Sequence, residues 1–410
     1  MTFSFGQREN KSVKLVSTIS GEEYPFEKIE EFTENGESLE VSIPAIEDAK
    51  INPGENLWQR FLDFLPFYEV RHDLHLGEGN TSLIRADQKL QSFTGTNKLY
   101  LKNETQNPTW SFKDRGSLAC IYMAVEMNET VTATISSGNM GNSIAAYGAK
   151  AGIQAVVFVP EFVPKEKIFS MYIHGAKVIR VKADDYSEMK KYILGLARKL
   201  KLRIVSGNGP IRVEGYKLTA FEMYEQMNRQ VPDYIAIPTS ACGHIRGIFK
   251  GYRELKQAGY INKLPKMIIV QAKNNSPIVT AIQQEKEDVI PFSNFHTIAE
   301  AITTGNPMGG KELIYKANKY HWLAESVTEE EILQSQLKFG ESGYFVEPAS
   351  ATSLYAVKKL REVGKIENNA MIVLMLTGTG LKDLDVFQHY QVNVLESDLN
   401  HIESDIRKLM

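Results

Sequence analysis

From about Ala119 to Leu376 short runs of β-branched and apolar residues alternate with segments of helical period. TVTATIS leads into NSIAAYGAKAG, QAVVFVP into KEKIFSMYIHG, and AKVIRVK into YSEMKKYILGLARKL. The rhythm returns in YIAIPT with GIFKGYRELKQAG, in KMIIVQA with SPIVTAIQQ, and in MIVLMLTGTG. Strands separated by helices of this length require crossover connections, so the pattern predicts largely parallel sheets with helices on both faces, an α/β architecture. The first seventy residues break the rhythm. GEEYPFEKIEEFTENGESLEVS reads as a small turn-rich hairpin and LWQRFLDFLPFYE as an aromatic helical segment, which together predict an ordered extension.

Composition narrows the class. A chain of 410 residues, 43% hydrophobic, can bury cores for two to three domains. Forty-seven Lys and Arg against fifty Asp and Glu leave a net charge of -3 without a long basic run, which argues against nucleic acid as a partner. The start MTFSFGQRENKSVK lacks the apolar core of a signal peptide and no apolar run is of membrane length, so a cytoplasmic protein with no membrane partner is expected. Cys120 and Cys242 are too few for a disulfide framework or a four-thiolate zinc site and read as buried free thiols. The eight histidines are scattered, and HExxH, GxSxG and paired CxxC are absent; no metal is expected.

Five segments concentrate residues suited to chemistry. In NPTWSFKDRG (107–116) a turn leads into a helix start at Ser111, which places Lys113 at the positive end of a helix dipole. By itself this is either a solvated charge or a lysine kept neutral enough to form a Schiff base. SSGNMGNS (136–143) lies between a strand and a helix beginning near Asn142; it is either a capped helix start or an anion site. PTSACGHIRG (238–247) is a second strand-to-helix turn, with Ser240 and His244 as donors beside its N–H groups. LTGTGLKD (376–383) brings glycines to the end of a buried strand, and in GNGPIRVEGYK Arg212 either clamps an anion or pairs with Glu214. GNPMGGKE (305–312) has P-loop spacing, but Glu312 replaces the magnesium-binding Ser or Thr and the helical pattern HTIAEAITT precedes it.

In order along the chain these segments resemble the threonine synthase family of fold-type-II pyridoxal-phosphate enzymes. NPTWSFKDRG is similar to the family's NPTGSFKDRG, SSGNMGNSIAAYGAKAG to SSGNTGNSAAAYAARAG, and LGEGNTSL to LGEGNTPL. VEGYKLTAFEM, QAKNNSPIV, AITTGNP, EEILQSQ, EPASATSL and LTGTGLKD also have counterparts, so the resemblance covers roughly Val13 to Asp385. It implies a two-domain fold like the tryptophan synthase β chain, with pyridoxal 5'-phosphate held by Lys113 as a Schiff base. Asn139 would bond the cofactor's 3-hydroxyl, Ser240, Ala241, Cys242, Gly243 and His244 would cradle its phosphate, and Thr377 would face the pyridine nitrogen. Ser137, Gly138 and Met140 would receive the substrate carboxylate, Arg212 the substrate phosphate, and Trp110 would wall the substrate cavity. The implied reaction is O-phospho-L-homoserine and water to L-threonine and phosphate, catalysed by a homodimer.

Four departures stand out. Met140 replaces a threonine, Trp110 a glycine, and the phosphate turn differs from the family's PVGNAGN. Ser17, Ser20, Phe32 and Asn35 fall where many relatives carry the thiolates of a zinc ribbon, so the extension is expected to hold no zinc. The first two leave open an elimination or replacement on another amino acid, such as O-phosphoserine in a cysteate synthase-like reaction, or a non-catalytic cofactor-binding paralogue. The expected division is an extension over 1–72, a large cofactor-binding domain from 73–122 with 228–395, a small domain over 123–227 carrying the asparagine loop, and a C-terminal helix in 396–410.

Overall fold

The computed structural model describes residues 7–8, 11–26, 30–161, 163–182, 186–293, 296–390 and 394–409. Its extension contains a three-stranded antiparallel sheet of β1 (Lys14–Ser17), β2 (Glu23–Pro25) and β3 (Leu39–Ser42), in the order β2-β1-β3. At the turn after β1, Ser17 and Ser20 both donate to the Glu37 carboxylate, Ser20 at 2.7 Å, and Ser17 Oγ accepts the N–H groups of Ile19 and Ser20. Phe32 instead pairs across to Ser38, and Asn35 is exposed. A carboxylate thus closes the serine turn. The sheet is fastened to the body of the protein through the Glu40–Arg253 ion pair and through Arg246, which donates to the Leu39 carbonyl at 2.8 Å.

Apart from a two-residue antiparallel pair, Gln7–Arg8 with Lys11–Ser12, the remaining strands are β4 (Leu83–Arg85), β5 (Lys98–Asn103), β6 (Val131–Ile135), β7 (Gln154–Pro160), β8 (Lys177–Val181), β9 (Tyr234–Pro238), β10 (Lys266–Ala272), β11 (Leu323–Val327) and β12 (Met371–Leu376). Among the described residues they form a six-stranded sheet, β11-β10-β9-β12-β5-β4, and a three-stranded one, β8-β7-β6. Every pairing is parallel except β4 with β5. The principal helices are α1 (Lys113–Glu126), α2 (Asn139–Ala151), α3 (Lys165–Ile173), α4 (Tyr186–Leu200), α5 (Pro210–Gln226), α6 (Gly243–Gln257), α7 (Gly310–Tyr320) and α8 (Pro348–Glu362).

Side chains alternate across a strand, so a sheet covered on both faces needs two apolar sets. Ile235, Ile237, Met267, Ile269, Val373 and Met375 pack with Phe221, Ile248 and Phe249 of α5 and α6, while Ala236, Ile268, Val270, Ile372 and Leu374 pack with Leu354, Val357 and Leu360 of α8. With both faces sealed, the open positions are the carboxyl ends of the parallel strands, where α/β sheets bind ligands. The segments after β6, β9 and β12 all emerge there.

Three local expectations shift. The first helix begins at Lys113 and not Ser111, because Ser111 bridges to Gly378 and the Phe112 N–H donates to the Thr377 carbonyl at 3.0 Å. The second begins at Asn139, ahead of Asn142. HTIAEAITT is irregular apart from a turn at Glu300–Ile302. Its backbone is committed to distant partners: the Ile298 N–H to Glu329 at 2.7 Å, the Ile302 carbonyl to Asn275 at 3.1 Å and the Thr304 N–H to Ser240 at 3.3 Å. Strand β11 was not anticipated from the sequence pattern.

Candidate active site

A cleft of about 2280 Å³ opens over the strand ends, and Lys113, the loop 136–140, the turn 238–244 and Thr377 all line it. Lys113 sits in the first turn of α1, its ammonium 4.2 Å from the Phe112 ring centre. Burial, reinforced by the positive charge of Arg212, brings its pKa down to about 7, with Glu347 opposing the shift. Neighbours on both sides fix the start of this helix. Buried Asp114 accepts from the Thr109 N–H at 2.6 Å, the Thr109 hydroxyl at 2.5 Å and Ser143 of α2 at 2.6 Å. Arg115, fully enclosed, bonds Glu104 at 2.7 and 2.8 Å and Glu222 at 3.0 Å.

Across the cleft, the Asn139 amide is held at both ends: Nδ2 donates to Glu347 at 2.9 Å, and Oδ1 accepts from Lys382 at 3.1 Å. Lys382 also donates to the Thr109 carbonyl, and burial lowers its pKa to about 8. Thr377 donates to the other Glu347 oxygen at 2.9 Å, and its oxygen lies 2.7 Å from the Ser350 hydroxyl. Glu347, Lys382, Asp114 and Ser350 were not assigned from the sequence as site residues. Their signal was present, since EPASATSL and LTGTGLKD contain three of them and NPTWSFKDRG the fourth, but the bonds of Glu347 and Lys382 to Asn139 cross more than two hundred residues and leave no local trace.

The turn into α6 has a different character. Cys242 takes a φ of +76°, and a Cβ on Gly243 would lie 2.1 Å from the Gly207 carbonyl oxygen, so only glycine lets the two loops touch. The N–H groups of the first turn of a helix have no intrahelical acceptor, which leaves an anion cradle at the N-terminus of α6. The Ser240 hydroxyl is 2.8 Å from that of Thr304, and the buried Cys242 thiol has its pKa raised by desolvation. His244 stacks on Phe112 with centroids 3.8 Å apart, and neither ring nitrogen has a protein partner; burial drives its pKa down to about 3. Asn208 Nδ2 and Arg212 Nε and Nη2 are likewise buried without partners.

Arg212 does not line the cleft. It lies wholly buried behind the wall, donating from Nη1 to Ser117 at 3.1 Å. Trp110 stands at the lip, 54% exposed, with a φ of +61° and the Lys382 ammonium 5.8 Å from its ring. Met140 borders the cleft beside Ser137 and Gly138. Glu31 of the extension also reaches this cavity, within 3.2 Å of where a Gly209 Cβ would stand. The donor set fits a phosphorylated aromatic aldehyde: a buried amine of lowered pKa for the carbonyl and a helix N-terminus for the phosphate.

A sequence model of the pyridoxal-phosphate dependent enzymes matches residues 74–378, and the chain belongs to that family. Its cofactor is pyridoxal phosphate. Within the family it is similar to threonine synthases: that of Methanocaldococcus jannaschii is 39% identical, with 85% of this chain and 87% of that protein aligned. The threonine synthase of Methanosarcina acetivorans is 38% identical over 76% and 77% of the two chains. Among solved structures, maize serine racemase superposes with a TM-score of 0.64 at 18% identity over 81% of this chain and 92% of that one, a likeness of fold. Threonine deaminase isoform 2 of Solanum lycopersicum gives 0.63 at 19% identity over 87% and 94%.

Proposed function

We propose that this chain is a threonine synthase, converting O-phospho-L-homoserine and water to L-threonine and phosphate. The observation that carries the reading is the similarity to threonine synthases over most of both chains. When bound, pyridoxal phosphate supplies an electron sink for the pair left at the substrate Cα. The chain supplies the rest. Lys113 would hold the cofactor covalently, and its amine, poised near neutral pH, is suited to carrying protons between the substrate's Cα and Cβ. The turn 240–244 binds the cofactor phosphate, Asn139 and Thr377 orient its ring, and the loop Ser137–Met140 receives the substrate carboxylate. Arg212, with Asn208, meets the substrate phosphate from behind the wall as the carbon–oxygen bond at Cγ breaks; water then adds at Cβ. Trp110 closes the mouth.

The division into an extension, a large domain, a small domain and a C-terminal helix, and a cytoplasmic homodimer, belong to the same reading and are supported by the family resemblance; size-exclusion chromatography checks the dimer. The decisive experiment incubates the reconstituted protein with O-phosphohomoserine and follows phosphate and amino-acid product. Threonine and phosphate in equal amounts are expected, together with a visible cofactor band that Lys113→Ala abolishes, with turnover lowered about 10²- to 10⁴-fold or more. Product from O-phosphoserine with none from O-phosphohomoserine would overturn the reading.

A further inference from the structure

The loop that leads into α5 is pinned by a side chain from α6. Arg246, 1% exposed, sits in the first turn of α6, where its N–H donates to the Cys242 carbonyl at 3.1 Å. Its Nη1 donates to the Asn208 carbonyl at 2.7 Å and to Asn208 Oδ1 at 2.8 Å. A guanidinium has donors only, so the Asn208 atom that faces it is the amide oxygen. Both Nδ2 hydrogens therefore point away from Arg246, and Nδ2 is buried with no protein acceptor. Asn208 borders the cleft, and its amide is closely packed: a Cβ on Gly309 would stand 2.9 Å from Oδ1 and 3.0 Å from Nδ2.

The same guanidinium reaches two further segments. Nη2 donates to the Leu39 carbonyl of β3 at 2.8 Å, and Nε lies 2.5 Å from a carboxylate oxygen of Glu312 in α7, an ion pair. Only a planar fork with several fixed donors can hold three segments at once; a lysine ammonium is a single point. Leu39 in turn donates its N–H to the Glu31 carbonyl at 2.9 Å, and the Glu31 carboxylate rests against Gly209. The extension thus meets the loop twice, at Gly209 directly and at Asn208 through Arg246.

We propose that Arg246 is a positioning residue for substrate recognition, turning the Asn208 amide so that Nδ2 donates to the substrate phosphate and tying that orientation to the seating of the extension. This rests on the reading that Asn208 meets the substrate phosphate. With its oxygen held by the guanidinium, Asn208 offers an anion two hydrogens and no lone pair. Without Arg246 the amide is free to turn and set its oxygen against the phosphate, which repels. The effect therefore falls on the phosphate of a ligand and spares its amino-acid end.

The test titrates holoenzyme with two ligands, each followed by the shift of the visible cofactor band: L-threonine, and the phosphonate isostere of O-phosphohomoserine, which carries the anion and cannot release it. Asn208→Ala and Arg246→Met are each expected to weaken the phosphonate about tenfold, the scale of a lost hydrogen bond to a charged group, while L-threonine affinity changes less than about twofold. The double variant is expected to match Asn208→Ala, because the guanidinium acts through that amide. Losses that multiply in the double variant overturn the proposal. Equal weakening of both ligands by Arg246→Met, the mark of a merely structural role, overturns it as well. Asn208→Asp needs no change to Arg246 and keeps an oxygen for it: thermal stability is expected to hold while the phosphonate binds more weakly than to Asn208→Ala, and binding as tight as in Asn208→Ala overturns the assigned orientation. If Asn208→Ala binds the phosphonate as the wild type does, Asn208 does not meet the phosphate and the underlying reading falls with the proposal. A loss in Asn208→Ala with none in Arg246→Met removes the proposal alone.

Discussion

The two walls of the cleft differ in how their polar groups are satisfied. On the wall built from Asn139, Glu347, Ser350, Thr377 and Lys382 each side chain has protein partners at 2.7 to 3.1 Å. On the other, Asn208 and His244, with Arg212 buried behind them, each keep at least one side-chain nitrogen that meets no protein partner. An unpaired buried polar group costs about 1–3 kcal/mol, more when charged. A protein tolerates such a cost where a ligand removes it. The contrast teaches that one wall is set in advance to orient, while the other is completed only by what binds, and that the missing partners are anionic or hydrogen-bond accepting.

The largest effect that would sharpen this contrast comes from Arg212→Met. If the unpartnered wall meets the substrate phosphate, kcat/KM falls by about tenfold or more, because a hydrogen bond to a charged group is worth about 1.5–3 kcal/mol. Thermal stability should not fall in step, since the variant removes a buried charge that the ligand-free protein leaves partly unpaired. A variant that unfolds readily yet retains its kcat/KM would make Arg212 a structural residue and break the contrast.

A smaller effect tests the lysine between the walls. The pKa of Lys113, near 7 in the folded protein against 10.5 for an ordinary lysine, is lowered, so the folded state favours the neutral amine. Its contribution opposes folding at and below pH 7 and fades as pH rises from about 7 toward 10.5. Only the neutral amine attacks the cofactor carbonyl. Capture of pyridoxal phosphate by apoprotein, followed by stopped-flow absorbance, should therefore quicken about tenfold per pH unit below 7 and level off above about pH 8. A rate that rises only above pH 9 would show an ordinary, solvated lysine.

The smallest effect concerns Trp110. Its left-handed backbone costs a non-glycine residue roughly 1–2 kcal/mol, which glycine would relieve, while glycine adds about 0.5–1 kcal/mol of unfolded-chain entropy. Trp110→Gly should leave stability within about 1 kcal/mol while shifting KM among amino-acid substrates of different size, measured by thermal unfolding and steady-state kinetics. Unchanged substrate preference would reduce Trp110 to a bystander at the lip.

The sequence was most informative where function is local. NPTWSFKDRG and SSGNMGNS place an amine and a loop at the ends of predicted elements, and both segments line the cleft. It was least informative where partners lie far apart in the chain. The bonds of Glu347 to Asn139 and of Lys382 to Asn139 span 208 and 243 positions, so neither residue carried a visible role despite lying in segments matched to the family. HTIAEAITT shows the same limit for backbone: its periodicity is helical, yet distant acceptors and donors claim its polar groups.

The sequence by itself determined the alternation of strands and helices, the buried character of the sheet and the identity of the amine, because apolar periodicity and loop chemistry are properties of neighbouring residues. Tertiary structure alone decided that Arg212 lies behind the wall, that Trp110 sits in a left-handed conformation beside Lys382, and that one carboxylate, Glu347, meets both Asn139 and Thr377. Those outcomes depend on hydrogen-bond direction and burial, which exist only once remote segments meet.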